Sequence, residues 1–384
     1  MMSRRFLYMV LNNYMHAPSA WYTLHRIDPS RLFYPRGTPT LASPPPPPEN
    51  ERLPDPAMSF YPPHSAHDAG SMEFALLGGR GKDRIVAMDH TGRAVLYDDY
   101  SHAVHPLPPV TAPKWCPTLS LAADGQDGAY IIEADPQADG PGRRSVEALA
   151  YDHKPAEDDE DEGWVWRPLE PPPYVRVPGY GDEEGTGGKR AFGRGGRSGK
   201  ITCHAAEGAR IWVSTAGRGT YCLDTASGVW TKAGDWALPF QGRAVPIPEY
   251  ASRLWFGVSA SDAGYVCASD LQTAANEGRA PVADQVWDGF AVPEGFHDLE
   301  SHSYVVHLGD RRLCVAKFFE TTRQEACDDD WMCSRCCHGY VSECAFAMIT
   351  GVEVEPGAGR WHRLIKHRSL WYNLGTDRVP VCVL

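Results

Sequence analysis

The chain has 384 residues, a formal net charge of −12 and a hydrophobic content of 42%, enough apolar material for a sizeable folded core. Its 37 glycines and 33 prolines exclude a mostly helical architecture, because both residues are disfavoured in helix interiors. The acidic balance excludes general nucleic-acid binding, which needs a basic footprint, and no apolar run reaches the roughly 20 residues of a membrane helix, so neither nucleic acid nor membrane is expected as a partner.

At the N-terminus, Arg4-Arg5 precede Phe6-Leu7-Tyr8-Met9-Val10-Leu11, an apolar stretch too short for a signal peptide that runs into Asn12-Asn13. It reads as a strand, and residues 20–27 as another. Without an export signal the expected location is cytoplasmic, the nucleus being the alternative. The eleven cysteines are then free thiols or metal ligands rather than disulfides. Residues 36–57 contain the five-proline run Pro44 to Pro48 and are expected to form an extended loop.

Alternating apolar segments rich in aromatic and β-branched residues then predict strands in pairs. Arg84–Met88 and Ala94–Asp98 flank a turn at His90-Thr91-Gly92; Ala129–Glu133 pairs with Val146–Tyr151. An acidic loop at 154–163 carries the run Glu157 to Glu162, and a Gly/Arg-rich loop spans 178–199. Beyond it a motif recurs: Ile211-Trp212-Val213, a glycine turn, then Cys222; Leu254-Trp255-Phe256, a turn, then Cys267; Tyr304-Val305-Val306, a turn, then Cys314. The cysteines are 45 and 47 residues apart (267 − 222 and 314 − 267). Trp164, Trp166, Trp230, Trp287 and Trp361 fall on the strands that follow such hairpins.

Hairpin, third strand and Trp at this period are the signature of a β-propeller blade, whose sheet buries its faces by stacking on its neighbours. The reading is an all-β single domain over 1–384: a kelch-like propeller of six blades. Five repeats lie between about 72 and 366. A closing blade is drawn from the terminal strands at 4–11, 20–27, 370–374 and 380–384. A β-sandwich with coincidental spacing is the alternative.

Several longer motifs carry a resemblance. They are Leu24 to Pro35, Asp89-His90-Thr91-Gly92-Arg93, Gly219 to Trp230, Gly234 to Ala244, Thr350-Gly351-Val352-Glu353-Val354-Glu355 and Lys366-His367-Arg368-Ser369. Together they resemble a large, grass-enriched family of plant proteins catalogued only as a domain of unknown function. The resemblance spans nearly the whole chain. It implies a kelch-like propeller and brings no established activity, cofactor or site residue.

The sharpest local chemistry lies in the Cys-rich loop at 324–343. Cys333 and Cys336 form a Cys-x2-Cys half-site, with Cys337 and His338 beside it, and four such ligands suit a structural zinc. There is no second Cys-x2-Cys pair, so a variable loop with incidental thiols is the competing reading, with no cofactor. Gly193 to Lys200 fails as a P-loop because Arg194 and Ile201 stand where Gly and Ser/Thr are required. Neither Gly-x-Ser-x-Gly nor His-Glu-x-x-His occurs, and His297, His302 and His307 do not converge by spacing. Asp98, Asp152, Asp224 and Asp270 are expected to cap turns, and Arg243 to form a structural ion pair with a carboxylate such as Glu249. With no catalytic constellation, the expected function is a monomeric, non-catalytic protein-interaction scaffold, a recognition subunit for an unidentified protein partner. The alternative is an enzyme or small-molecule binder with a site at the central channel.

Overall fold

The computed structural model describes residues 4–13, 21–35, 47–63, 71–77, 83–112, 114, 118–121, 128–136, 144–152, 163–176, 199–250, 254–261, 264–277, 279–290, 293–299, 302–324, 340–357 and 362–384. They form an all-β chain with short helical turns. The chain divides into two compact units, one of residues 1–61, 261–267 and 285–384, the other of residues 62–260 and 268–284.

The strands, in chain order, begin with β1 (Leu7–Asn13), β2 (Trp21–Ile27), β3 (Glu49–Glu51) and β4 (Pro56–Phe60). Next come β5 (Met72–Leu76), β6 (Arg84–Asp89), β7 (Ala94–Asp98) and β8 (Ala103–Leu107), then β9 (Thr118–Leu121), β10 (Gly128–Glu133), β11 (Val146–Asp152) and β12 (Gly163–Leu169). The middle of the chain holds β13 (Ile201–Glu207), β14 (Arg210–Thr215), β15 (Gly219–Asp224), β16 (Val229–Gly234), β17 (Phe240–Pro246), β18 (Leu254–Ser259) and β19 (Val266–Asp270). Helix α1 (Leu271–Asn276) and β20 (Gln285–Trp287) follow. The last strands are β21 (His297–Asp298), β22 (Tyr304–Gly309), β23 (Arg312–Gln324), β24 (Tyr340–Pro356), β25 (His362–Gly375) and β26 (Arg378–Val383).

In the unit of residues 62–260 and 268–284, two sheets are antiparallel meanders of four strands, ordered β5-β6-β7-β8 and β9-β10-β11-β12. A third meander, β13 to β16, continues through a parallel pairing of β13 with β17 and an antiparallel one of β17 with β18. The first strands of the meanders lie next to one another, β5 beside β9 and β9 beside β13. The turn expected at His90-Thr91-Gly92 is present. The Asp89 carboxylate accepts from the Thr91 and Arg93 N–H groups at 2.8 and 3.1 Å, and Gly92 takes a φ of 89°.

These sheets bury both faces. Val86, Met88 and Leu96 of the first pack with Ala129, Ile131, Leu149 and Trp166 of the second. Tyr130, Ile132, Val146 and Ala148, on the opposite face of the second, pack with Ile211, Val213 and Leu223 of the third. A tryptophan closes each junction in the same way. Trp166 on β12 donates its indole N–H to Pro108 O at 2.9 Å, and Trp230 on β16 donates to Glu170 O at 2.7 Å. Each acceptor is the residue directly after the last strand of the preceding sheet. A buried ion pair, Lys114–Glu147, ties the connection after β8 to β11, with side chains 2% and 0% exposed. Lys114 Nζ also donates to Arg144 O at 2.6 Å and Ala112 O at 3.2 Å, and Glu147 Oε2 accepts from Thr111 N at 2.9 Å and Thr111 Oγ1 at 2.7 Å. That satisfaction is what lets two charges leave water.

In the other unit, β26, β1, β2 and β4 form one sheet and β21, β23, β24, β25 and β3 another, with β22 also on β23. The N- and C-terminal strands are adjacent: β1 pairs antiparallel with β26, and Tyr8 and Leu384 exchange backbone bonds at 3.1 and 2.9 Å. Residues 370–374, expected in the same sheet as the chain termini, instead belong to the 14-residue β25. Its pairing with β24 runs from Ala345↔Gly375 to Pro356↔His362 with register shifts between Ala345 and Phe346 and between Thr350 and Val352, leaving β4 as the fourth strand of the terminal sheet. The stretch expected as a proline-rich loop over 36–57 holds β3, parallel to β25, and the start of β4. The core of this unit gathers Leu7, Met9 and Leu11 with Phe318, Ile349, Leu370 and Tyr372. A buried polar chain crosses its terminal sheet: Asn13 Nδ2 donates to Thr23 Oγ1 at 3.1 Å, and His25 Nε2 lies 2.9 Å from the same hydroxyl. His25 Nδ1 lies 2.7 Å from Pro54 O, which can only accept, so Nδ1 carries the proton.

Candidate functional site

Three places bear on function, and the sequence marked them unequally. The zinc candidates Cys333, Cys336, Cys337 and His338 lie outside the described residues, as do Trp361, the acidic loop up to Glu162 and the Gly/Arg-rich stretch up to Ser198. Among the described residues no group of three His, Cys, Asp or Glu side chains is arranged to hold a metal. Six described cysteines are free thiols, and those of the recurring motif, Cys222, Cys267 and Cys314, are buried. Burial pushes the Cys222 thiol up to about 11 and Cys314 to about 12. They act as small apolar core residues rather than nucleophiles.

The first place is the set of hairpin tips. Asp98 ends β7, and its Oδ1 accepts from the N–H groups of Tyr100 and Ser101 at 3.0 and 3.1 Å. Arg84 donates to its other oxygen at 3.1 Å. Burial alone would raise the Asp98 pKa, but the bonds from Ser101, Arg84 and Tyr100 outweigh it and hold the carboxyl below its usual range. Tyr97 OH donates to Asp99 Oδ1 at 3.0 Å. That spends its one proton, so the 3.3 Å contact with His102 Nδ1 has the ring nitrogen donating. The tip is therefore braced from within while Tyr100 stands 78% exposed, with Val104 exposed on β8 beside it.

The tip after β15 repeats the device. Asp224 Oδ1 accepts from Ser227 N and Ala226 N at 3.0 and 2.9 Å, and those bonds lower its pKa. Asp270 does the same for α1, accepting from Thr273 N and Oγ1 at 2.9 and 2.8 Å. Asp152 differs, pairing with Arg167 at 3.3 Å.

The second place is where three of the family-like motifs meet. Phe33 and Tyr34 lie against His367, with ring centroids 5.1 and 5.9 Å away. Tyr34 N–H donates to His367 Nδ1 at 3.4 Å, which puts the imidazole proton on Nε2, 3.5 Å from Glu353 Oε2. Arg312 sits over the Phe33 ring at 4.5 Å and 4.0 Å from the same carboxylate, and Arg368 sits over Tyr34 at 5.0 Å. Gly351 permits this approach, since a Cβ there would fall on Leu32 O and within 2.8 Å of Leu32 Cβ. Burial lowers the His367 pKa, against the raising effect of Glu353. Ring packing, the cation–π contacts and the Tyr34–His367 bond together hold residues 33–34 against β23 and β25.

The third place went unmarked in the sequence: His204 on β13 and Arg243 on β17 are cross-strand partners. Arg243 was read as one half of a structural ion pair and His204 was passed over. Residues 39 apart reveal their pairing only when the register is known.

Hairpin meanders whose junctions are closed by tryptophans and whose tips are braced define the class: an all-β protein of repeated sheets. Residues 4–372 match the model of a family described as protein of unknown function, DUF1668, and the chain belongs to that family. No curated protein matches the sequence. Among solved structures, the beta-propeller domain of Cps50 (Swd1) from Myceliophteria thermophila is similar at 11% identity. The match covers 65% of this chain and 70% of that one, with a TM-score of 0.29.

Proposed function

We propose that this protein is a six-bladed, kelch-like β-propeller that works as a non-catalytic interaction scaffold, in the manner of a recognition subunit. The architecture is supported by successive antiparallel meanders whose first strands neighbour one another, and by β26 completing the sheet that β1 begins. One observation carries the function: a hairpin tip fixed by Asp98, Tyr97 and Asp99 holds Tyr100 out in solvent. Tyrosine offers a large contact surface at little entropic cost, and rigid aromatic side chains dominate protein recognition sites.

A photo-crosslinking residue at position 100, in tagged full-length protein exposed to lysate of its source tissue, tests the reading. One discrete adduct in stoichiometric yield is expected, competed away by excess unmodified protein. Crosslinking no more selective than from position 52, where Arg52 is also exposed, would overturn it.

A further inference from the structure

The meanders β5–β8, β9–β12 and β13–β16 each end in an edge strand. Among the described residues β8 pairs only with β7, β12 only with β11 and β16 only with β15. Alternate residues of such a strand turn their N–H and C=O groups outward, where another chain can pair with them. Two of these edges are blunted in the same way. β8 carries Pro106, opposite Val95, and β12 carries Pro168, opposite Glu147. Proline has no N–H to give to a ladder, so on an edge strand it discourages further pairing.

β16 reads Val229-Trp230-Thr231-Lys232-Ala233-Gly234 and has no proline. Among the described residues no backbone group of this strand is bonded on its outer side. Val229 is 54% exposed, and Thr231, Lys232 and Ala233 are exposed as well. Ala233 falls at an irregularity in the pairing with β15, so the ladder is regular over Val229–Lys232. The charge of Lys232 is the one remaining device against an incoming strand. It is offset by an ion pair with Asp235.

The strand is complementary to itself. A second copy of β16 laid antiparallel beside the first, with Thr231 on the two-fold axis, sets Thr231 against its own counterpart. Trp230 then faces Lys232 of the second copy, and symmetry repeats that pair. Cross-strand threonine pairs are favourable, and an ammonium beside an indole gains cation–π attraction. Trp230 and Lys232 are two positions apart and so share a face of the sheet. On that face Lys232 already stands over the Tyr221 ring, 5.9 Å from its centroid. Centring the axis on Lys232 instead would oppose two ammonium groups, which disfavours that register.

We propose that β16 is a self-association surface, through which two copies of this chain pair antiparallel and join their sheets across a two-fold axis. The second copy is the occupant because it brings a lysine to Trp230 and a tryptophan to Lys232 in one register. A six-residue strand makes a small interface, so the dimer is weak and concentration-dependent. This surface is separate from the Tyr100 tip and does not rest on the reading of that tip.

Sedimentation velocity of the full chain in reducing buffer, over a concentration series, is expected to show a monomer–dimer equilibrium. Thr231→Lys sets like charges on the axis and should weaken association at least about tenfold, and Thr231→Glu should do the same. Position 231 is exposed, so both variants should keep the circular dichroism spectrum of the parent. Mixing the two variants sets opposite charges on the axis and should restore the dimer, because position 231 then meets its counterpart across the axis. Val104→Lys, the same charge on the exposed β8 edge, should leave the equilibrium unchanged. Three results overturn the proposal: a monomer at every concentration, a dimer indifferent to Thr231→Lys, or a mixture of the two variants that stays monomeric. The first would leave the edge to an extended segment of another protein, and the second would put the dimer contact elsewhere.

Discussion

The Lys114–Glu147 pair sets the clearest single-residue expectation. Both side chains are withdrawn from water, and Thr111 and the Ala112 and Arg144 carbonyls complete the hydrogen bonding of the pair. Removing one charge strands the other, so Lys114→Met should cost about 3–5 kcal/mol in urea unfolding, while Lys114→Met combined with Glu147→Leu should recover much of that loss. Gly351→Ala should destabilise by about 1–3 kcal/mol, because the new methyl meets the Leu32 backbone, which cannot rotate away. Thermal unfolding would register it, and Leu32→Ala would not rescue it, since alanine keeps both the carbonyl and the Cβ that the new methyl meets. At this scale the sequence was legible where the chemistry is local. Asp98, Asp224 and Asp270 cap their own turns within three residues, which is visible in any aspartate followed by turn formers. Lys114–Glu147 and His204–Arg243 span 33 and 39 residues (147 − 114 and 243 − 204). Nothing in either residue's neighbourhood announces its partner.

Among the elements, the two tryptophan latches are equivalent in chemistry and position. Trp166→Phe and Trp230→Phe each remove one indole N–H from a backbone carbonyl while keeping most of the ring packing. Each should lower stability by about 0.5–1.5 kcal/mol, and the two losses should add, since they act at different sheet junctions. Urea titration of the single and double variants measures both statements. Truncation before Arg378 is a harsher change. It strips β1 of one neighbour and exposes an apolar strand edge, so size-exclusion chromatography should show aggregates where the full chain gives a single species. The hairpins β6–β7 and β14–β15 were readable because period-two alternation and glycine turns are local signals. The parallel pairing of β3 with β25 was not. A three-residue strand of Glu, Asn and Glu has no pattern of its own and exists because β25 offers it an edge.

For the whole molecule, the buried histidines dictate how stability responds to acid. Burial lowers the pKa of His25, His204, His302 and His367, so each is harder to protonate in the folded chain than in the unfolded one. The unfolded state then binds more protons once pH drops below about 6.5, and stability falls with pH. Each histidine adds up to about 1.4 kcal/mol per pH unit to that slope, His204 down to about pH 3. Denaturation midpoints should decline from pH 7 to pH 5, before most carboxylates titrate, and His204→Asn should flatten the decline. Fold class was legible at this scale because the 45-residue period repeats a unit that cannot bury its faces alone. The order of the terminal sheet was misread in one respect: β4 rather than residues 370–374 completes it, since the outcome depends on how far β25 runs before the chain turns.

The adjacency of β1 and β26 also constrains how the protein is made. β1 leaves the ribosome hundreds of residues before the strand that will lie beside it. At typical elongation rates that is a delay on the order of tens of seconds. Throughout it, Leu7, Met9 and Leu11 have their β2 hairpin but lack the later strands that complete their core. The nascent chain must therefore be sheltered or held in a provisional arrangement until β26 has been made and can take its place beside β1.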